Sequence, residues 1–272
     1  MDDERHAVVV RDLTVEFPAA SGGFQVLKDV SFDNRRGEIL GIVGQSGAGK
    51  SVLVRALVNY VPWPGRIVGG SIQVLGRDLP SLSQEQLRDL RGGDIGVIVQ
   101  NARSHLNPVL PIGEQIANVY RAHRSCGRRE ALSRAVEMLR LVGIPAPEER
   151  IRAYPHELSG GMAQRAIIAT ALVCEPRLIL ADEPTSGLDV TIQDQVLRLF
   201  RKLVADVGAA ALLVTRDMGI VANFCDRVGV MCKGELVEVA GVPEIFYKAA
   251  HPHTRELIAA ASLREEVSAH GS

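Results

Sequence analysis

The residues of this chain best suited to chemistry are Gly44-Gln45-Ser46-Gly47-Ala48-Gly49-Lys50-Ser51, a glycine, four residues, then Gly-Lys-Ser. That spacing is the P-loop pattern, and it lies between an apolar run and a helix start. A phosphate needs many convergent donors with little side-chain bulk. Glycines let backbone N–H groups cup it at the positive end of a helix. Lys50 adds a charge and Ser51 a hydroxyl suited to Mg²⁺. The bland alternative is an ordinary glycine-rich turn, which would not need these flanks. Further on, Leu178-Ile179-Leu180-Ala181-Asp182-Glu183 ends an apolar run in two adjacent carboxylates, where a buried strand end is normally neutral. Beside a P-loop, Asp182 is placed to hold Mg²⁺ through water and Glu183 to polarise the water that attacks a γ-phosphate. Without one, the pair would be a solvated cap before Pro184. A third segment, Leu158-Ser159-Gly160-Gly161-Met162-Ala163-Gln164, opens another helix with a serine and two glycines. It is a second possible anion site, although Ser-Gly-Gly alone is more often a helix cap.

The elements that hold these residues follow from periodicity. Val8-Val9-Val10, Leu13-Thr14-Val15-Glu16-Phe17 and the stretch from Val26 to Phe32 read as strands around a Gly22-Gly23 turn. Glu38-Ile39-Leu40-Gly41-Ile42-Val43 is the nearly continuous apolar run of a parallel strand buried on both faces, and a helix follows Lys50. From about 112 to 174 the sheet signal disappears, and Leu132, Ala135, Val136 and Leu139 mark an amphipathic helix. Strands resume at Leu178 to Ala181 and Ala211 to Val214, joined by a helix with Ile192, Val196, Leu199 and Leu203 on its apolar face. Two helices are expected around 243 to 262. The fold class is α/β: a P-loop core with an antiparallel β subdomain and an inserted α-helical subdomain. A single domain is expected over 1–272, with the core at 7–100 and 175–240, the helical subdomain at 101–174 and a C-terminal extension at 241–272.

Composition agrees with a folded α/β protein. Hydrophobic residues make up 46% of the 272 and charged residues 23%, which leaves little room for extended disorder. Lys plus Arg total 31 against 32 for Asp plus Glu, so no global field draws the chain to nucleic acid. No apolar run approaches the eighteen or so residues of a membrane helix. The start, Met1-Asp2-Asp3-Glu4-Arg5-His6, is polar and acidic, unlike a secretory signal, and a cytoplasmic location is expected. Cys126, Cys174, Cys225 and Cys232 lack zinc-ligand or redox-pair spacing and read as small packing residues.

Taken in order, the P-loop, the Ser-Gly-Gly segment and the carboxylate pair resemble the ATP-binding cassette family over roughly residues 7 to 262. The resemblance implies that two cassettes close head to tail, each ATP lying between the P-loop of one and the signature of the other. Gly44 to Ser51 and Val52 would then bind this chain's own nucleotide, while Ser159, Gly160, Gly161, Met162 and Gln164 would serve the partner's. Gln100 resembles the Q-loop glutamine that touches Mg²⁺ and links the site to the helical insertion. Ser186-Gly187-Leu188-Asp189 resembles the D-loop that crosses the dimer interface; outside the family, Asp189 would simply cap a helix. Phe17 fits the aromatic that stacks on adenine, with a core strand aromatic as the alternative and Phe24 in reserve.

One departure bears on mechanism. Arg216, in Val214-Thr215-Arg216-Asp217-Met218, stands where the family has a switch histidine. Arginine could still contact phosphate, but it stays charged and cannot accept a proton, which points to slower hydrolysis at this chain's own P-loop site; the alternative is that Arg216 simply pairs with Asp217 or a phosphate and leaves the rate intact. Ala163 replaces a basic residue common in the signature, and Ala102 a proline common after the Q-loop. Arg103 to Pro108, Asp217 to Ala222 and His251-Pro252-His253-Thr254-Arg255-Glu256-Leu257 resemble the ATPases of dipeptide, oligopeptide and nickel importers. Those pair two different ATPase chains with two permease chains and an extracytoplasmic solute-binding protein, on the cytoplasmic side of the membrane. The implied cofactors are ATP and Mg²⁺. The alternatives are a cassette ATPase of DNA repair or translation, or a regulatory nucleotide binder that scarcely hydrolyses. Residues 52 to 158 leave only 107 positions with no sustained heptad for a long coiled-coil insertion, and a single P-loop occurs.

Overall fold

The computed structural model describes residues 5–19 and 22–270, the last nine of these by backbone alone. The acidic start read at residues 1–4 and the last two residues of the C-terminal extension lie outside the described residues. The chain divides into two compact units, Met1–Leu82 with Ala210–Ser272, and Ser83–Ala209. The first begins with β1 (His6–Ala19), β2 (Gly22–Arg35), β3 (Ile39–Val43), α1 (Lys50–Ala56), β4 (Arg66–Val74) and β5 (Arg77–Asp78). The second runs α2 (Gln84–Asp89), β6 (Ile95–Ile98), α3 (Ala102–His105), α4 (Ile112–His123), α5 (Arg128–Leu141), α6 (Pro147–Arg150), α7 (Gly160–Leu172), β7 (Leu178–Asp182) and α8 (Val190–Val207). The first then resumes with β8 (Ala210–Thr215), α9 (Met218–Phe224), β9 (Arg227–Cys232), β10 (Glu235–Gly241), α10 (Val242–Lys248) and α11 (Pro252–His270).

In the first unit an antiparallel sheet has the order β2-β1-β4-β5. The apolar fragments at 8–10 and 13–17 are one strand, interrupted at Asp12, whose φ is 49°. There Val10 faces Phe32 and Leu13 faces Val30, so two residues of β1 oppose one of β2 in a bulge. On the other side Arg11 faces Ser71 and Thr14 faces Gly69. Between them Gly70 has φ 85°, and a Cβ there would lie 2.4 Å from the Arg11 carbonyl oxygen, so only glycine fits opposite the bulge.

The second sheet of this unit centres on β3, parallel to β8 on one side and to β9 on the other, with β10 antiparallel to β9. Every residue of β3 and β8 is buried, as their unbroken apolar runs require. Gly41 lets α9 and the residue after it approach, since a Cβ would meet Cys225 Sγ at 2.8 Å. Fully buried Asn34 donates through Nδ2 to the Ala211 carbonyl at 2.9 Å, and Asp226 accepts from the Ile39 N–H at 2.8 Å.

The second unit pairs β6 with β7 in parallel, Ile95 against Leu178 through Ile98 against Ala181. The expected helical stretch is present as α3 to α7, and of the four residues expected on the buried face of α5 Ala135 and Leu139 hold their place. Ala131, Ala135, Met138 and Leu139 are buried, whereas Leu132 and Val136 are half-buried. In α8 Val196 and Leu203 are buried as expected, joined by Leu197, Phe200 and Val204, while Ile192 and Leu199 are half-buried. All four cysteines are free thiols. Burial pushes the Cys174 thiol up against the opposing pull of Arg124 and Arg134, which leaves it a packing residue. Among the described residues no helix is long and apolar enough to cross a membrane.

Candidate nucleotide site

In the first unit the buried strand β3 delivers the chain into the glycine loop. Gly44 leaves the strand against β9, where a Cβ would lie 2.3 Å from the Met231 carbonyl oxygen. Gly47 and Gly49 have φ of 79° and 101°, and Gly49 is the N-cap of α1 with no side chain capping it. The first N–H groups of α1 are therefore left to face the loop. Gln45, Ser46 and Gly47 form an exposed rim, while Ala48 is buried and Ser51 and Val52 are half-buried. Lys50 is only 6% exposed, and its Nζ donates to the carbonyls of Gly44 at 2.7 Å and Gln45 at 2.9 Å. A ring of N–H groups with a cation folded beneath its rim has the chemistry of a polyphosphate cradle.

Phe17, near the end of β1, is half-buried and faces Phe24 across the hairpin. A Cβ at Gly65 would come within 2.4 Å of the Phe17 ring, so that glycine lets the loop before β4 pack against it. Phe24 is 64% exposed. Arg216 is exposed directly after β8. The neighbouring Asp217 caps α9, accepting from the N–H of Gly219 at 2.8 Å and of Ile220 at 3.4 Å.

In the second unit β7 ends in half-buried Asp182 and Glu183. Glu183 has φ 44°, and its carbonyl accepts from the Ser186 N–H at 3.1 Å across Pro184 and Thr185. Gln100, two residues beyond β6, donates from Nε2 to Glu183 Oε2 at 3.1 Å and to Ser186 Oγ at 3.0 Å. Ser159 caps α7 by accepting from the Met162 N–H at 3.2 Å. Ser159 and Gly160 are exposed, Gly161 and Met162 half-buried and Gln164 buried. A Cβ on Gly161 would meet Ile192 Cγ2 at 2.8 Å, and one on Gly160 would meet Leu188 Cδ2 at 3.7 Å. The start of α7 thus rests on the segment that leads into α8. Gly187 is exposed with φ 79°, and Asp189 caps α8 by accepting from the Ile192 N–H at 3.0 Å.

The second unit therefore brings together Gln100, Glu183 and Ser186, and sets the signature glycines beside Leu188 and Ile192. Sequence reasoning named Arg103 only within the segment Arg103 to Pro108 and missed the bond it makes here. The Arg103 guanidinium, just after the Q-loop, donates to the Leu158 carbonyl at the entrance to the signature. Fifty-five residues separate the two, and no spacing rule signals such a bond.

A parallel sheet that ends in a glycine loop, with a second pair of strands ending in Gln100 and an Asp-Glu pair, defines a P-loop nucleotide-binding protein. The family model for ABC transporters matches residues 27–186, and the chain belongs to that family. It is 45% identical over 251 residues to the oligopeptide transport ATP-binding protein OppD of Bacillus subtilis, covering 92% of this chain and 70% of that one. It is 42% identical over 250 residues to the dipeptide transport ATP-binding protein DppD of the same organism, covering 92% and 74%. Among solved structures it resembles a dimeric ATP-binding cassette in a post-hydrolysis state bound to ADP and Pi. That likeness has a TM-score of 0.78 at 26% identity and covers 86% of this chain and 98% of the other.

Proposed function

We propose that this chain is the ATP-hydrolysing subunit of an importer for peptides or a related small solute, acting at the cytoplasmic face of the membrane through permease chains. The observation that carries the solute class is the 42–45% identity, across 92% of the chain, to subunits named for dipeptide and oligopeptide transport. Gly44 to Val52 would bind ATP, with Phe17 against the base. Glu183 would polarise the attacking water. Ser159, Gly160, Gly161, Met162 and Gln164 would complete the site of a second cassette, with Ser186 to Asp189 at the contact between the two. That cassette would be a different chain, joined to two permease subunits and supplied by an extracytoplasmic solute-binding protein.

Ser51, Asp182 and Gln100 fit a Mg²⁺ ion in their chemistry, offering hydroxyl, carboxylate and amide oxygens. Because Gln100 Nε2 donates to Glu183 and Ser186, its oxygen is the atom that remains for a cation. Among the described residues no cluster of three or more His, Cys, Asp or Glu side chains forms a metal cage. Mg²⁺ takes few protein ligands and completes its shell with phosphates and water. When bound, the ion would neutralise charge on the β- and γ-phosphates.

Arg216 favours a second element of the reading: the two sites of the assembled transporter are unequal, this chain's own P-loop site turning over more slowly. The experiment is to co-purify the complex, reconstitute it, and measure ATPase activity with peptide-loaded binding protein. Glu→Gln is then introduced into each ATPase chain separately. Stimulation by peptide, and a larger loss from the partner's substitution than from Glu183→Gln, is expected. No stimulation by any peptide would refute the solute class, and the reverse order of losses would refute the asymmetry.

A further inference from the structure

Gln100 and Glu183 stand at matching positions just beyond the ends of neighbouring parallel strands. Ile98 pairs with Ala181 in the β6 and β7 register, and each of the two side chains comes two residues later. The left-handed φ of 44° at Glu183 is uncommon for a residue other than glycine. It starts the tight turn through Pro184 and Thr185 that returns Ser186 to the same place. A carboxylate only accepts hydrogen bonds, so the amide nitrogen of Gln100, not its oxygen, faces Glu183. Its second hydrogen goes to Ser186 Oγ, and both hydrogens of this amide are used within one unit.

Resting on the functional reading above, we propose that Ser186 is a positioning residue that locks the Gln100 amide onto Glu183 and keeps that carboxylate idle between turnovers. A general base needs an oxygen directed at the water it polarises. Glu183 Oε2 instead accepts from Gln100. One hydrogen bond alone would let the amide pivot, and the second, to Ser186, fixes its rotation. Glu183 reaches water when the amide lets go. Ser186 is the first residue of the segment leading to Asp189 and α8, so displacement of that segment is what releases the amide. The clamp gates hydrolysis without contributing to ATP affinity.

The test uses Ser186→Ala and Ser186→Thr in the assembled transporter whose partner ATPase chain carries its own Glu→Gln, so that turnover at this chain's site is what is read, with ATPase activity measured without and with solute-loaded binding protein. Loss of one ordinary hydrogen bond should raise the unstimulated kcat roughly two- to tenfold in Ser186→Ala. The KM for ATP should stay within about twofold, so that stimulation by solute shrinks. Ser186→Thr keeps the hydroxyl and should restore the wild-type rate. In the isolated ¹⁵N-labelled chain, the Gln100 side-chain amide protons, assigned by their loss in Gln100→Glu, should exchange with water faster in Ser186→Ala. An unchanged or lower unstimulated kcat, the same rise in Ser186→Thr, or unaltered amide exchange overturns the clamp. A wild-type complex that does not hydrolyse ATP in any condition overturns the functional reading instead, and the amide exchange then still decides the clamp.

Discussion

Lys50→Ala should weaken ATP binding by a calculable amount. Lys50 is 6% exposed, and its ammonium already makes charge-assisted bonds to the carbonyls of Gly44 and Gln45. To reach a phosphate it must give these up, so the gain on binding is the difference between anionic and carbonyl partners. That difference amounts to about one hydrogen bond to a charged group, about 1.5–3 kcal/mol. At 1.4 kcal/mol per decade, Kd should rise roughly 10- to 150-fold. The same substitution removes a side chain that ties the loop to itself, so the folded chain should lose stability by about 1–2 kcal/mol as well. Titration calorimetry of the purified chain with ATP, beside a thermal melt, gives both numbers. A variant that melts as a folded protein and binds ATP within about threefold of wild type would refute the placement of Lys50 at the phosphates.

Three further outcomes are expected. Glu183→Gln should bind ATP with affinity within about threefold of wild type while steady-state hydrolysis at this site falls by about 10²-fold or more, and equal loss of affinity in both variants would remove Glu183 from its role. Gly47→Ala should cost only the left-handed backbone, about 1–2 kcal/mol, because nothing lies within 4 Å of its new Cβ. Gly49→Ala should cost about 2–5 kcal/mol, since its Cβ would meet Val26 O and Leu27 Cδ2 at 2.8 Å, and coincident thermal melts for the two would contradict that ranking. Glu238 should stabilise the C-terminal helices in a pH-dependent way. Burial pushes its carboxyl up, but the Thr254 hydroxyl and the N–H groups of Ala250 and His251 outweigh it and hold the value below the ordinary 4.5. A depressed carboxyl stabilises above its unfolded value and loses that contribution as pH falls through the folded one. The stability gap between wild type and Glu238→Gln should therefore be full above the ordinary carboxyl value of 4.5 and shrink as pH falls below it, and a gap that stays constant on acidification would refute the assignment.

The P-loop was legible because its spacing and its flanking strand carry the chemistry together, and β3 and β8 because fully buried parallel strands read as unbroken apolar runs. Strand β4 was not anticipated. Its Gly69-Gly70 pair reads as a turn, yet Gly70 is a strand residue shaped by the bulge at Asp12 on β1, a partner almost sixty residues away. The same bulge split β1 into two fragments on paper. In α5 Ala135 and Leu139 of the expected face are buried, but helix periodicity cannot choose between adjacent stripes when alanines line one of them, and Ala131 and Met138 took the inside in place of Leu132 and Val136. The residue types of the candidate site were all visible in the sequence. The bonds from Gln100 to Glu183 and Ser186, and from Arg103 to the Leu158 carbonyl, were not, since they depend on how neighbouring strands and helices align.

Ser159 uses one oxygen for two purposes. A hydroxyl has two lone pairs and one hydrogen. Capping α7 consumes a lone pair, through the Met162 N–H, and leaves the hydrogen to be given outward. Aspartate and asparagine cap helices as well as serine does. Aspartate, however, has no hydrogen to give and, in the proposed role of Ser159 toward a second cassette, would set a negative charge where a phosphate is to approach. Drift from serine to aspartate at this position would pass unnoticed by a selection that scores only folding and expression. On the proposed function it would surface only when the chain met a second cassette, as a subunit healthy in isolation that spoils the catalytic site of the other.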